Sequence, residues 1–204
     1  MFGGRRHLFP HDQELFASVI SVQQEIATAE LHLERVMHLI AERSQELTRA
    51  TGAAIELIEG DQLVYRAATG TAADSLGLRL ERATSFSGLC VRTGEVLYCE
   101  DARIDDRADR EACLRVGLRS MIVVPLYHRA HIVGVLKVLS PEVNAFGETD
   151  GQVLQLMAGL IGAVMSRAAA FEAEQALVAQ RTRDLRETQE RFRLLVEGVR
   201  DYAL

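Results

Sequence analysis

Three cysteines, Cys90, Cys99 and Cys113, are the most reactive side chains in this sequence. Thiol chemistry needs a low-pKa attacking sulfur and a resolving partner. Three is an odd number and no CxxC pair occurs, so neither a disulfide scaffold nor a structural zinc site is expected. Small buried thiols are common in cores, which is the ordinary reading of all three. Glu56 and Lys137 stand out differently, because each interrupts an otherwise apolar, strand-like run. A buried charge needs a partner, so the two are expected to face each other across neighbouring strands. The other use of Lys137 is to bind an anionic ligand. The six histidines are scattered. His128 and His131 flank a tight turn where solvation is expected, and His32 and His38, six apart, are poorly spaced to share a ligand. No metal site is expected. The charged run 100–111 reads as a solvated loop, with a polar lid as the alternative. No GxxxxGK, GxSxG, HExxH or HRD-type loop occurs.

These residues sit on a recognisable series of elements. Leu15, Val19, Val22, Ile26, Ala29, Leu33, Val36 and Ile40 alternate steps of four and three, a heptad seam on one long helix from Asp12 to Thr51. Phe16, Ile20, Met37 and Leu39 widen that stripe, so the helix is expected both to cover a domain and to meet a partner helix. Segments 53–60 and 62–69 read as strands joined through Gly60-Asp61, followed by a loop-like stretch over 70–85. FSGLCVRTG (86–94) reads as a short helix, VLYCE (96–100) as a brief strand and RADREACLRVG (107–117) as a three-turn helix. RSMIVVPLYH (119–128) and HIVGVLKVLS (131–140) form an antiparallel hairpin. From about Glu148 the chain is helical again, and Val164, Phe171, Val178, Leu185 and Phe192 recur every seven residues. Their companion seam, Ile161, Ala168, Gln175, Thr182 and Gln189, turns polar outward, predicting a dimeric coiled coil of modest stability.

Composition narrows the function. Over 204 residues, 23 Lys and Arg against 29 Asp and Glu leave a net charge of −6, which argues against nucleic acid as a partner. No apolar stretch approaches the ~20 residues of a membrane span, and the N-terminus offers no signal-peptide core. No membrane association and a reduced, cytoplasmic location are expected.

The order of helix, hairpin, short helices around a small strand, hairpin and long helix is an α+β sandwich. It resembles a GAF domain, a small-molecule sensor module of signalling proteins. The residues carrying the resemblance are SGLCVRTGEVLYCEDARIDD, GLRSMIVVPL, IVGVLKVLS and FGETDGQVLQLMA, within roughly 36–168. The resemblance implies an antiparallel sheet with long N- and C-terminal helices on one face and short helices over a ligand pocket on the other. It divides the chain into an N-terminal helical dimerisation segment (1–35), the GAF domain (36–168) and a coiled-coil signalling helix (169–190). The last stretch, 191–204 within ERFRLLVEGVRDYAL, is similar to the opening helix of a PAS domain. That implies a GAF–PAS protein truncated there, of the kind that carries a histidine kinase or a cyclic-di-GMP cyclase or phosphodiesterase as output.

By the same resemblance, and by period-two alternation within the strands, the pocket is expected to involve Cys90, Cys113, Met121, Val123, Val135, Lys137, Leu139 and Glu56. The implied function is a non-catalytic sensory input, homodimeric, binding a small molecule or sensing redox state and signalling through its C-terminal helix. Two other readings stand beside it. Free-methionine (R)-sulfoxide reductases are GAF-like enzymes with cysteines placed similarly to Cys90 and Cys113. In those enzymes acids hold the substrate where this chain has Met121, Lys137 and Leu139. The third reading is a ligand-free dimerisation module. Bilin is disfavoured, because Ala108-Asp109 occupy the position of the chromophore-linking cysteine in phytochrome-like GAF domains. Cyclic nucleotide is disfavoured too: of that signature only Phe146 and Asp150 survive, with Ser140, Pro141 and Gly151 at its other positions. The resemblance leaves the identity of any cofactor open.

Overall fold

Four apolar runs build the long strands of the sheet, and the alternation of side chains along a strand decides which of them meets which layer. In the computed structural model the described residues are 20, 21, 24, 33–115, 117–167 and 180–183. The chain divides into two units, residues 1–165 and 166–204. Of the second, residues 166, 167 and 180–183 are described, all helical.

In the first unit the described helix α1 spans Leu33–Leu47, followed by the hairpin β1 (Gly52–Glu59) and β2 (Gln62–Gly70). A 3-10 turn at Ala73–Ser75 leads to the short edge strand β3 (Arg79–Glu81). Helix α2 (Phe86–Thr93), strand β4 (Leu97–Cys99) and helix α3 (Arg110–Arg115) come next. The hairpin β5 (Ser120–His128) and β6 (His131–Ser140) completes the sheet, and α4 begins at residue 148 and continues to the end of the unit. The six strands lie in the order β3-β2-β1-β6-β5-β4, antiparallel throughout. The first and last long strands, β1 and β6, are therefore neighbours at the centre.

One sheet face packs on α1 and α4. Ile55, Ala67, Ile122, Val124, Leu136 and Val138 point there and meet Val36, Met37 and Ile40 of α1 with Leu154, Met157 and Ile161 of α4. The heptad residues Val36 and Ile40 are thus buried against the sheet of their own chain, as is Val164. On the opposite face Ala54, Tyr65, Met121, Val123, Val135 and Leu139 form a second cluster with α2 and α3. A bulge between Ile55 and Glu56 sets Tyr65 opposite Glu56 while Ala67, not Arg66, pairs with Ile55. The extra residue returns the hairpin to register, and Arg66 is left exposed.

Two expectations change. The stretch 70–85 is not merely a loop: it holds the 3-10 turn and β3, which pairs with β2 along Gln62–Val64. The helix expected over 107–117 is shortened to Arg110–Arg115 because aspartates turn the backbone ahead of it. Asp105 accepts from Arg107 N at 3.0 Å, and Asp109 accepts from Ala112 N at 3.0 Å as a helix cap. Among the described residues no helix is long and apolar enough to cross a membrane. Phe171, Val178, Leu185 and Phe192 lie outside the described residues, as do nearly all of segments 1–35 and 169–190 and the whole of 191–204.

Candidate functional site

A cavity of about 710 Å³ lies between the sheet and the segments that cross its α2–α3 face, on the side away from α1 and α4. That volume falls in the range of small-molecule sites. Its sheet-side wall is Tyr65, Met121, Lys137 and Leu139, and its cover comes from residues 71–87 and 106–118. The cover is apolar at Ala72, Phe86, Ala108 and Leu118, with hydroxyls at Thr71, Thr84 and Ser87.

Lys137 is the central polar feature. Its ammonium makes an ion pair with Glu56 and donates a hydrogen bond to the Tyr65 hydroxyl. All three side chains are buried, Glu56 completely. The strand register produces this group: Lys137 pairs with Ala54 across β1 and β6, one step diagonal from Glu56, while Tyr65 stands opposite Glu56 on β2. The ammonium also lies over the Tyr65 ring, 4.4 Å from its centroid. Burial by itself pushes Lys137 toward neutrality, but the Glu56 charge and then Tyr65 outweigh it and hold the lysine above its ordinary range. The Tyr65 phenol is raised, chiefly by burial, with Lys137 opposing. Such a pair is balanced only while both members are present; removing one strands a buried charge, at a cost of about 3–5 kcal/mol.

Of the expected pocket residues, Cys113, Met121, Lys137 and Leu139 line the cavity. Val123, Val135 and Glu56 lie on the same sheet face and Cys90 packs on it from α2, but none of the four reaches the cavity surface. Glu56 is covered by Lys137 and Tyr65, with which it interacts. Cys90 is turned inward, donating to Glu95 O at 3.2 Å and Val123 O at 3.7 Å, which ties α2 to β5. Burial, then the Glu56 charge, pushes the Cys90 thiol up to about 12. Burial, then Asp105, pushes Cys99 up to about 12 as well. Cys113 is also raised, by burial, against a lowering influence from Lys137. At neutral pH these are protonated thiols, poor nucleophiles.

The charged run 100–111 is organised rather than simply solvated. Arg119 grips Asp101 with two bonds of 2.9 and 2.6 Å at the start of β5. Arg107, which lines the cavity, grips Asp105 at 2.9 and 2.7 Å, donates to Tyr98 O at 2.8 Å and lies 5.2 Å from the Phe86 ring centroid. The cover is therefore fastened to the sheet at both ends. Tyr65, Phe86 and Arg107 escape the sequence reading: an aromatic in a strand is ordinary, and only the bulge at Arg66 reveals where Tyr65 points. At the β5–β6 turn His131 is exposed, whereas Nε2 of His128 is buried without a hydrogen bond. Asp150 accepts from Gly147 N at 2.8 Å at the start of α4, and Phe146 packs against the core beside it.

A six-stranded antiparallel sheet with helices packed on one face and a cavity on the other defines an α+β sandwich. A family profile described as the GAF domain matches residues 30–166, and the chain belongs to that family. The fold is similar to the GAF domain of a phosphoenolpyruvate-protein phosphotransferase from Coxiella burnetii, at 20% identity and a TM-score of 0.70, covering 79% of this chain and 98% of that one. The corresponding domain from Acinetobacter is similar at 19% identity and a TM-score of 0.68, covering 78% and 98%. A free methionine-R-sulfoxide reductase from Neisseria meningitidis, solved with its substrate, is similar at 20% identity and 0.66, covering 83% and 99%.

Proposed function

We propose that this chain is a sensory input module that binds a small molecule in the cavity over its sheet. The observation that carries this is the cavity of about 710 Å³ over the sheet, with Lys137 and Tyr65 in its wall and Glu56 buried behind them. A buried charged network confined to a cavity wall marks a place for specific recognition rather than simple packing. In this reading the chain is not catalytic. It works as a cytoplasmic homodimer, and occupancy of the cavity is passed along the C-terminal helix to a PAS domain. The output beyond is a histidine kinase or a cyclic-di-GMP cyclase or phosphodiesterase.

The enzymatic reading draws its support from the likeness to the Neisseria reductase. Against it stand the raised thiols and the absence of acids at the substrate-holding positions, where Met121, Lys137 and Leu139 occur. Native mass spectrometry of freshly purified protein tests both. The expected result is a retained small molecule, lost in Ala112→Trp, which fills the cavity from α3. A mass equal to the bare polypeptide in every preparation overturns the sensing reading. Turnover of free methionine sulfoxide with a thiol donor overturns the non-catalytic one.

A further inference from the structure

Lys137 is the buried cationic end of a pair with Glu56, and it is the member of that pair that lines the cavity. Its ammonium has three N–H donors, and among the described residues two acceptors engage it, the Glu56 carboxylate and the Tyr65 hydroxyl. The other cations lining the cavity are engaged as well, Arg79 by Glu59 at 3.1 Å, a carboxylate it shares with Arg66, and Arg107 by Asp105 at 2.7 Å. Three lining carboxylates, Glu81, Asp106 and Asp109, match the three cations in number. The wall therefore offers no uncompensated positive charge to an entering anion. An acid that drew Lys137 away from Glu56 would leave that carboxylate buried and unpaired, which is strongly unfavourable. An uncharged oxygen acceptor meets no such conflict, because it takes the third N–H and leaves the ion pair intact. Beside Lys137 the wall is formed by Met121, Cys113 and Leu139, which suit an apolar body.

Resting on the reading of this cavity as a ligand site, we infer that its ligand is an uncharged, largely apolar carbonyl compound whose oxygen accepts a hydrogen bond from Lys137 Nζ. Glu56 holds the lysine protonated, so it acts as a donor and not as an amine nucleophile, and binding is non-covalent. Multiply charged ligands such as nucleotides are selected against by the same balanced wall.

Three naphthalenes that differ only at position 2 test this: 2-acetonaphthone, 2-naphthoate and 2-ethylnaphthalene, measured against the full chain by equilibrium dialysis. The ketone is expected to bind about tenfold more tightly than either of the others, the margin of one hydrogen bond from a charged donor. The double variant Glu56→Gln/Lys137→Met, which removes both charges together, is expected to lose that margin over the hydrocarbon. A measurement on the wild-type chain needs no variant: the carbonyl stretch of bound 2-acetonaphthone moves to lower frequency. Tighter binding of the carboxylate, equal binding of the hydrocarbon, or an unshifted carbonyl band overturns the inference and leaves the ligand site standing. Failure of all three probes to bind also overturns the inference, whereas the ligand site itself falls only if native mass spectrometry finds the bare polypeptide in every preparation.

Discussion

Asp101 and Arg119 show how much one side-chain pair can do when it closes a segment. The carboxylate takes both guanidinium bonds and also accepts from Arg103 N at 3.0 Å, so it anchors the chain leaving β4 to the chain entering β5. Hydrogen bonds from Arg119 first, and from Arg103 N second, lower its pKa from 3.8 to about 2. A carboxyl held below its unfolded value stabilises the fold above that value and loses the contribution as pH falls through its folded value. Asp101→Asn is therefore predicted to be less stable than wild type at pH 6. The gap should shrink from about pH 4 downward and close only below about pH 2. Urea unfolding of both proteins across that range checks it. A gap independent of pH would mean that the contact acts through packing and not through charge. Added salt is expected to narrow the gap at pH 6, since the pair is partly exposed.

Among the elements, α2 depends on close approach. It is capped by Ser85, whose hydroxyl accepts from Gly88 N at 3.0 Å, and it ends at Gly94 in the left-handed conformation, φ 70°. A Cβ at Gly88 would stand 1.9 Å from the Arg82 carbonyl oxygen, whereas one at the exposed Gly159 of α4 meets nothing within 4 Å. The two glycines make a controlled pair. Gly159→Ala is predicted to stabilise by about 0.5–1 kcal/mol through helix propensity. Gly88→Ala is predicted to destabilise by about 1–3 kcal/mol, because it forces α2 away from the segment that closes the cavity. Denaturation midpoints moving in the same direction for both variants would refute the packing argument. The same close approaches explain what could be read in advance. β1, β2, β5 and β6 announce themselves by alternation and tight turns, and the charges in β1 and β6 announce the Glu56–Lys137 pair. β3 does not, since Arg79, Leu80 and Glu81 offer three residues and one apolar contact. Nor does the bulge at Arg66, which decides that Tyr65 completes the group at Lys137.

At the scale of the whole molecule the question is what covers the apolar heptads. In the first unit the answer lies within the chain: Val36 and Ile40 of α1 and Met157, Ile161 and Val164 of α4 are buried against the sheet. The stride of seven continues in the sequence through Phe171, Val178, Leu185 and Phe192. A single amphipathic helix of this length is marginal in water, so a second copy is the simplest cover for such a line. Gln175, Thr182 and Gln189 on the companion seam would keep that pairing shallow. A linker that relays occupancy of a cavity needs such shallowness, because a ligand shifts an equilibrium only by its differential affinity for the two states. We predict that the wild-type chain is a parallel homodimer at micromolar concentration. Val178→Lys with Leu185→Lys should make it largely monomeric while the far-UV spectrum and melting of the GAF domain stay unchanged. Sedimentation velocity decides between the outcomes. An unchanged dimer in the double variant removes the helical seam as the contact, and a monomeric wild type removes the dimer itself.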